Sequence, residues 1–234
     1  MLRQDDLMIN GWKIWQDTEA FCFGTDAVLL AWFSARKLFH SAMDLGCGNG
    51  IIPLLLAEYD CAKQLFGVDR DAAAVALAQK SVFDNGLEAR VKIFCGDFRQ
   101  TTLPGSVDLI TCNPPYFLSG TGKTAKVAVA PCRTEQNGSF ADFAAAAARS
   151  LRYGGRFCFI QKPERLPELF AACTAYGLEP KELLMVCSRD GRPPEWVLIE
   201  CRKGGKSGLK VLAPLVLYDA CGRETEAFSA LHHC

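Results

Sequence analysis

Residues 41–59 read SAMDLGCGNGIIPLLLAEY: an apolar run ending in an acid, three glycines in alternation, and a second apolar run long enough for a helix. Ser41 to Leu45 reads as a buried strand and Ile51 to Tyr59 as a helix, so Gly46, Gly48 and Gly50 fall in the turn between them. Glycines let the backbone turn sharply and let a ligand approach the main chain, while a helix N-terminus offers free N–H groups. A strand, a glycine turn and a helix in direct succession are the first unit of a βα repeat.

The repeat continues outward from this unit. "QLFGVD" (64–69) reads as a short strand and "DAAAVALAQKSVFDNG" (71–86) as a helix with Asp71 as N-cap and Gly86 just past its end. "VKIFCGD" (91–97) and "VDLITCN" (107–113) follow as strands. "SFADFAAAAARSLRYGG" (139–155) opens with a capping box, Ser139 with Asp142, and is expected to close at Gly154-Gly155. "RFCFIQ" is a strand, "ERLPELFAACTAYG" a helix, and "LLMVCS" with "EWVLIECR" a closing antiparallel pair. The expected fold is therefore α/β: a mostly parallel sheet with an antiparallel C-terminal strand and helices on both faces.

Two segments stand outside the repeat. Residues 1–38 hold the aromatic-rich "GWKIWQ" and "FCFGTDAVLLAWF", the latter a short helix expected to be capped by Thr25; they read as a lid or packing extension, with the main domain at 39–234. Trp12 and Trp15 read as packing residues in preference to stacking platforms for bases. Residues 118–137, "LSGTGKTAKVAVAPCRTEQN", lack a period and read as a long functional loop.

With 234 residues, 50% hydrophobic and 22% charged, the chain can bury the core of one such domain. Its 26 basic and 26 acidic residues cancel, so a nucleic-acid partner must be held by a local patch. "MLRQDDLMIN" carries acids where a signal peptide needs basic residues, and no run approaches the ~18 apolar residues of a membrane span. A cytoplasmic protein without membrane contact is expected. The 12 cysteines are scattered singly, with no C-x-x-C pair, and read as buried, reduced thiols. No metal is expected either; His232-His233-Cys234 reads as a frayed tail.

Three successive strands end in an acid: Asp44 before the glycines, Asp69 in "GVD" and Asp97 in "GDF". Strand ends of a parallel sheet are where ligands bind, and an acid after the second strand can accept hydrogen bonds from ribose hydroxyls. A dinucleotide is the rival ligand, but its fingerprint is G-x-G-x-x-G, whereas this turn is G-x-G-x-G with Asp44 two residues before the first glycine. A carboxylate there is poorly placed beside pyrophosphate and well placed beside a cationic amino-acid moiety. The pattern resembles the class I S-adenosylmethionine-dependent methyltransferases over about residues 40–200. That resemblance implies S-adenosylmethionine as cofactor in a Rossmann-like methyltransferase sheet. It gives the methionine part to the glycine turn, the ribose hydroxyls to Asp69 and the adenine amino group to Asp97, with Phe98 beside the adenine ring.

The fourth strand stops on Asn113-Pro114-Pro115-Tyr116. A bare strand terminator is the bland reading of N-P-P-Y. Its chemical reading concerns an exocyclic amine whose delocalised lone pair makes it a poor nucleophile. The Asn113 amide oxygen and the Pro114 carbonyl can accept its two N–H groups, proline locks that geometry in advance, and Tyr116 can stack on a flat target. The tetrapeptide resembles the (D/N)-P-P-(Y/F/W) motif of methyltransferases acting on planar nitrogens: adenine N6, guanine N2 of ribosomal RNA, or glutamine N5 of release factors.

"FCFGTDAVLLAWF", "CNPPYF" and the stretch from "PCRTE" to "FADFAAAAARSLRYGGRFCFI" together resemble the bacterial valine-tRNA adenine-N6 methyltransferase family. The resemblance implies an adenine next to the anticodon as target and tRNA as partner. Lys123, Lys126 and Arg133 in the 118–137 loop are the candidate phosphate contacts; Arg202, Lys203, Lys206 and Lys210 form a second cluster that an ordinary solvated surface explains as well. The glutamine methyltransferases usually carry an N-terminal helical domain, for which the preceding ~38 residues are too few. A cofactor-binding scaffold that helps another subunit hold RNA is the non-enzymatic alternative.

Overall fold

A computed structural model describes residues 1–7, 11–18, 24–100, 106–114 and 138–232. Its main sheet contains nine strands among the described residues. The parallel core runs β5 (Val91–Cys95), β4 (Ala62–Asp69), β3 (Phe39–Leu45), β6 (Val107–Cys112) and β7 (Leu151–Gln161). Beyond β7 come β9 (Trp196–Lys203), antiparallel to both its neighbours, and β8 (Leu178–Arg189). The short β10 (Lys210–Val211) and β11 (Leu215–Tyr218) pair in parallel with β8. β6 is buried at every position, as a central parallel strand covered on both faces must be. The chain winds outward from β3 through β4 to β5 and then returns to β6 on the other side of β3, which makes the β3/β6 junction the switch point.

Alternating side chains divide the core into two layers. On one face, Ala42, Leu109, Cys158 and Ile160 meet α1 (Thr25–Ala35), α2 (Ile51–Glu58) and α3 (Ala72–Asp84). On the other, Met43, Leu45, Ile110, Phe157 and Phe159 meet α4 (Phe140–Ser150) and α5 (Leu166–Ala175). Phe140, Phe157 and Phe159 are 2% exposed or less, with ring centroids 4.8–6.3 Å apart. Burying each such side chain contributes roughly 1.5–3 kcal/mol.

The helix starts follow local chemistry. Asp71 accepts from the amides of Ala73 and Ala74, and Gly86 adopts φ +68 beyond α3. Ser139 and Asp142 form the expected capping box. Two expectations differ. α1 has Gly24 as its N-cap with no side-chain cap bond, so Thr25 is already helical. α4 ends at Ser150 and not at Gly154-Gly155: Leu151 is extended and buried, paired with Val107 at the start of β7.

β1 (Leu2–Asp6) and β2 (Lys13–Asp17) form a separate antiparallel hairpin. It is held to α3 by main-chain hydrogen bonds between Lys13 and the Asn85 side chain in both directions, by Trp15 N to Ser81 Oγ at 2.9 Å, and by Trp15 Nε1 to Asp84 at 2.7 Å. Ile14 beneath it is fully buried. At the far end, α6 (Glu226–Ser229), capped by Thr225, sets Phe228 against Tyr218 of β11. Nine described cysteines are free thiols, and seven of them are buried. No described helix is long and apolar enough to cross a membrane.

Candidate active site

The carboxyl ends of β3, β4, β5 and β6 lie in a row. Cα pairing sets Asp44 beside Gly67 and Thr111, and Asp69 beside Cys95. The expected acids therefore reach one edge of the sheet, together with the residue pair that precedes Asn113.

All three glycines of the turn have positive φ: +73 at Gly46, +52 at Gly48 and +85 at Gly50, values that disfavour any side chain with a Cβ. A Cβ on Gly50 would stand 2.9 Å from Cβ of Ala78 on α3, so glycine also permits that helix to pack. A Cβ on Gly48 would meet nothing within 4 Å, which leaves that part of the turn open to a ligand. The turn is tied to the next strand: Gly46 N and Cys47 N donate to Val68 O, and Gly48 N donates to Asp69 Oδ2 at 2.8 Å. Asp69 Oδ1 accepts from Asp71 N at 2.9 Å. A carboxylate has about four lone-pair sites, so Asp69 can brace the turn and still accept hydroxyl donors.

Asp44 is 1% exposed. One oxygen accepts from Thr111 Oγ1 at 2.7 Å; the other, Oδ2, is buried without a hydrogen-bond partner among the described residues. Burial pushes its carboxyl up to about 8, the negative charge of Asp69 adds to that, and the Thr111 hydroxyl works in the opposite direction. An orphaned carboxylate oxygen at the bottom of an open glycine turn is suited to an ammonium group. The amino-acid end of S-adenosylmethionine carries one, so the donor set fits that cofactor.

Asp97 stands just past β5, and its carboxylate is gripped by Arg99 through the backbone N–H at 2.9 Å and the guanidinium. That hydrogen bonding holds its carboxyl below the usual range. Phe98 is 6% exposed and packs on Phe143, with ring centroids 4.3 Å apart. A Cβ on Gly46 would come within 3.6 Å of the Phe143 ring, so the two aromatic rings support the turn from the core side.

Asn113 and the buried Pro114 leave β6 at its carboxyl end, two positions after Thr111. Asn113 Nδ2 donates to Asp26 Oδ2 at 3.1 Å. Pro115, Tyr116, Lys123, Lys126 and Arg133 lie outside the described residues. Arg202 lies opposite Arg156, midway along β7, Lys203 lies opposite Leu178 at the start of β8, and Lys210 pairs with Glu182. Among the described residues no group of three or more His, Cys, Asp or Glu side chains is placed to hold a metal.

Four participants escaped the sequence reading. Thr111 is a hydroxyl in the apolar end of β6, past Asp108, and Asp26 an acid in a largely apolar helix; each anomaly is a usable signal. Asn49 of the glycine turn donates to Gln16 Oε1 at 3.4 Å, and Gln16 in turn donates to Asp5, linking the turn to the hairpin. Nothing in local spacing announces that last pair.

A family model described as methyltransferase small domain matches residues 23–174. A protein of Phocaeicola vulgatus named tRNA1(Val) (adenine(37)-N6)-methyltransferase is 32% identical over 171 residues, 70% of this chain and 70% of its own length. One of the same name from Haemophilus influenzae is 29% identical over 222 residues, 92% of this chain and 91% of its own. A crystal structure from Agrobacterium tumefaciens, described as that of a predicted O-methyltransferase, superimposes with TM-score 0.72 at 22% identity and covers 89% of this chain and 95% of that one. At that identity the likeness speaks for the fold.

Proposed function

The chain belongs to the methyltransferase small domain family, and from that premise we propose that it is an S-adenosylmethionine-dependent enzyme methylating the exocyclic N6 of an adenine in the anticodon loop of valine tRNA. The observation that carries this reading is the adjacency at the switch point. Thr111 holds the buried Asp44, and two positions later the same strand delivers Asn113 and Pro114. The cofactor end and the acceptor end of the site are thus built by one strand.

Bound S-adenosylmethionine supplies an electrophilic sulfonium methyl. Asp44 would hold its ammonium group, Asp69 its ribose hydroxyls, and Asp97 with Phe98 its adenine, over the turn of Gly46, Gly48 and Gly50. On the acceptor side, Asn113 Oδ1 and the Pro114 carbonyl would accept the two N–H groups of the target amine. That directs the nitrogen lone pair away from the ring and stabilises the positive charge that develops on it. Proline, with fixed φ and no N–H of its own, holds these acceptors before the substrate arrives. In this reading Tyr116 would stack on the target base, and Pro115 would add its fixed φ to the motif.

The acceptor RNA would be steered by Lys123, Lys126 and Arg133 of the 118–137 loop. An anticodon-loop base is less costly to expose than a duplex base. In this reading residues 1–38 serve as a packing extension to the domain at 39–234, and the protein works in the cytoplasm, where its tRNA is.

Labelled methyl transfer from S-adenosylmethionine to unmodified tRNA, followed by nucleoside analysis, tests the proposal. N6-methyladenosine is expected, and Asn113→Ala is expected to abolish it. Transfer undiminished by Asn113→Ala, or label found as methylglutamine on a release factor, would sink the assignment.

A further inference from the structure

Asp26 precedes Asn113 by 87 positions, yet the two side chains meet. Asp26 sits in the first turn of α1 and is 6% exposed. Its two oxygens have separate tasks. Oδ1 accepts from Ala27 N at 3.0 Å, which ties it to the start of the helix, and Oδ2 accepts from Asn113 Nδ2 at 3.1 Å.

A carboxamide has two ends of equal size and opposite function. Oδ1 accepts two hydrogen bonds, Nδ2 donates two, and a half-turn about the last side-chain bond exchanges them. For an acceptor role only one orientation works: the reversed amide would present N–H groups to the N–H groups of a target amine. A carboxylate offers acceptors and no donor, so Asp26 can face only the nitrogen end of Asn113. Reversal would set the partly negative amide oxygen against carboxylate oxygen in a part-buried contact, where the repulsion is less screened than in bulk water. A negative partner on the N–H side also draws the amide dipole toward it and makes Oδ1 a better acceptor.

The geometry points to Asp26 as a positioning residue that fixes the orientation and polarity of the Asn113 amide for the methyl acceptor. The inference rests on the assignment of Asn113 to the acceptor side. It gives the segment before the first sheet strand a part in the chemistry: α1 carries a polar contact to the reacting end of β6, besides packing on the sheet.

Reciprocal exchange provides the test. Asp26→Asn and Asn113→Asp are each expected to lower kcat for tRNA methylation by about 10- to 100-fold, the range for losing a hydrogen bond to a charged group. The affinity for S-adenosylmethionine, measured by calorimetry, should stay at the wild-type value, which also certifies the fold. The doubly substituted chain, Asp26→Asn with Asn113→Asp, reverses donor and acceptor while leaving an oxygen facing the target. It is expected to exceed both single variants in kcat. A double variant no better than the worse single variant, or losses that simply multiply, would overturn the inference. The pairing has a second readout that needs no acceptor: the Asn113 side-chain amide proton in the NMR spectrum should move upfield in Asp26→Asn. An unmoved resonance overturns the inference even if tRNA is methylated. A wild-type chain that methylates no tRNA adenine, but shows the moved resonance, refutes the choice of acceptor and retains the pairing.

Discussion

Replacing Asp44, the buried acid of β3 just before the glycine turn, should abolish a proton linkage in cofactor binding. The Asp44 carboxyl is pushed up to about 8, from an ordinary value of 3.8, chiefly by burial. At pH 7 it is therefore ionised in only about one molecule in ten. An ammonium group beside Oδ2 favours the carboxylate, so binding near neutral pH must expel close to one proton. Affinity for S-adenosylmethionine is then expected to rise nearly tenfold, about 1.4 kcal/mol, per pH unit between about pH 5.5 and 7.5, and to level off above 8. Calorimetric titration in two buffers of different ionisation enthalpy counts the proton directly. Asp44→Asn should bind more weakly and without the linkage. This control is needed because Glu58 titrates in the same range. Binding that releases no proton, or a slope that persists in Asp44→Asn, would refute the reasoning. The sign is opposite for stability without cofactor. The unfolded chain gives up this proton first, so Asp44 costs stability progressively as pH rises from about 4 to 8.

Two expectations concern folding. Gly50→Ala combines a left-handed φ of +85 with a Cβ 2.9 Å from Ala78 Cβ, so thermal or chemical unfolding should show a loss of about 1–3 kcal/mol, only partly recovered by adding Ala78→Gly. Glu58 has both oxygens buried without a hydrogen-bond partner among the described residues, and its carboxyl is raised to about 7 by burial and then by Asp6. Its raised value means that the unfolded chain ionises first and wild-type stability falls as pH rises toward and through 7. Urea titrations should find Glu58→Gln more stable than wild type by about 1 kcal/mol at pH 8, with the gap closing toward pH 5.

What the sequence disclosed and what it withheld follow a physical division. The strand–turn–helix of residues 41–59, the Asp71 cap and the Ser139–Asp142 box are local: their backbone chemistry is complete within a few residues, and the structure repeats it. The row of acids was legible because parallel strands joined by helices bring their carboxyl ends to one edge. The β1–β2 hairpin was missed because β1 is largely exposed and has no apolar alternation to read. The strand from Leu151 crosses two glycines that locally argue for a break; pairing of Leu151 with Val107 decides otherwise. The contact between Asp26 and Asn113 needs the whole sheet to form it, and no spacing in the chain foretells it.

The docking of that hairpin has a consequence for synthesis. Its main-chain partner Asn85 is 72 residues downstream of Lys13. At 5–20 residues per second, a ribosome delivers that partner about 4–14 s after the hairpin itself. During this interval Ile14 and Trp15 have no α3 to rest on, and the hairpin settles only after a segment made later than itself. A nascent chain stalled before Asn85 should therefore present these side chains to holding chaperones, whereas one stalled well beyond the end of α3 should not.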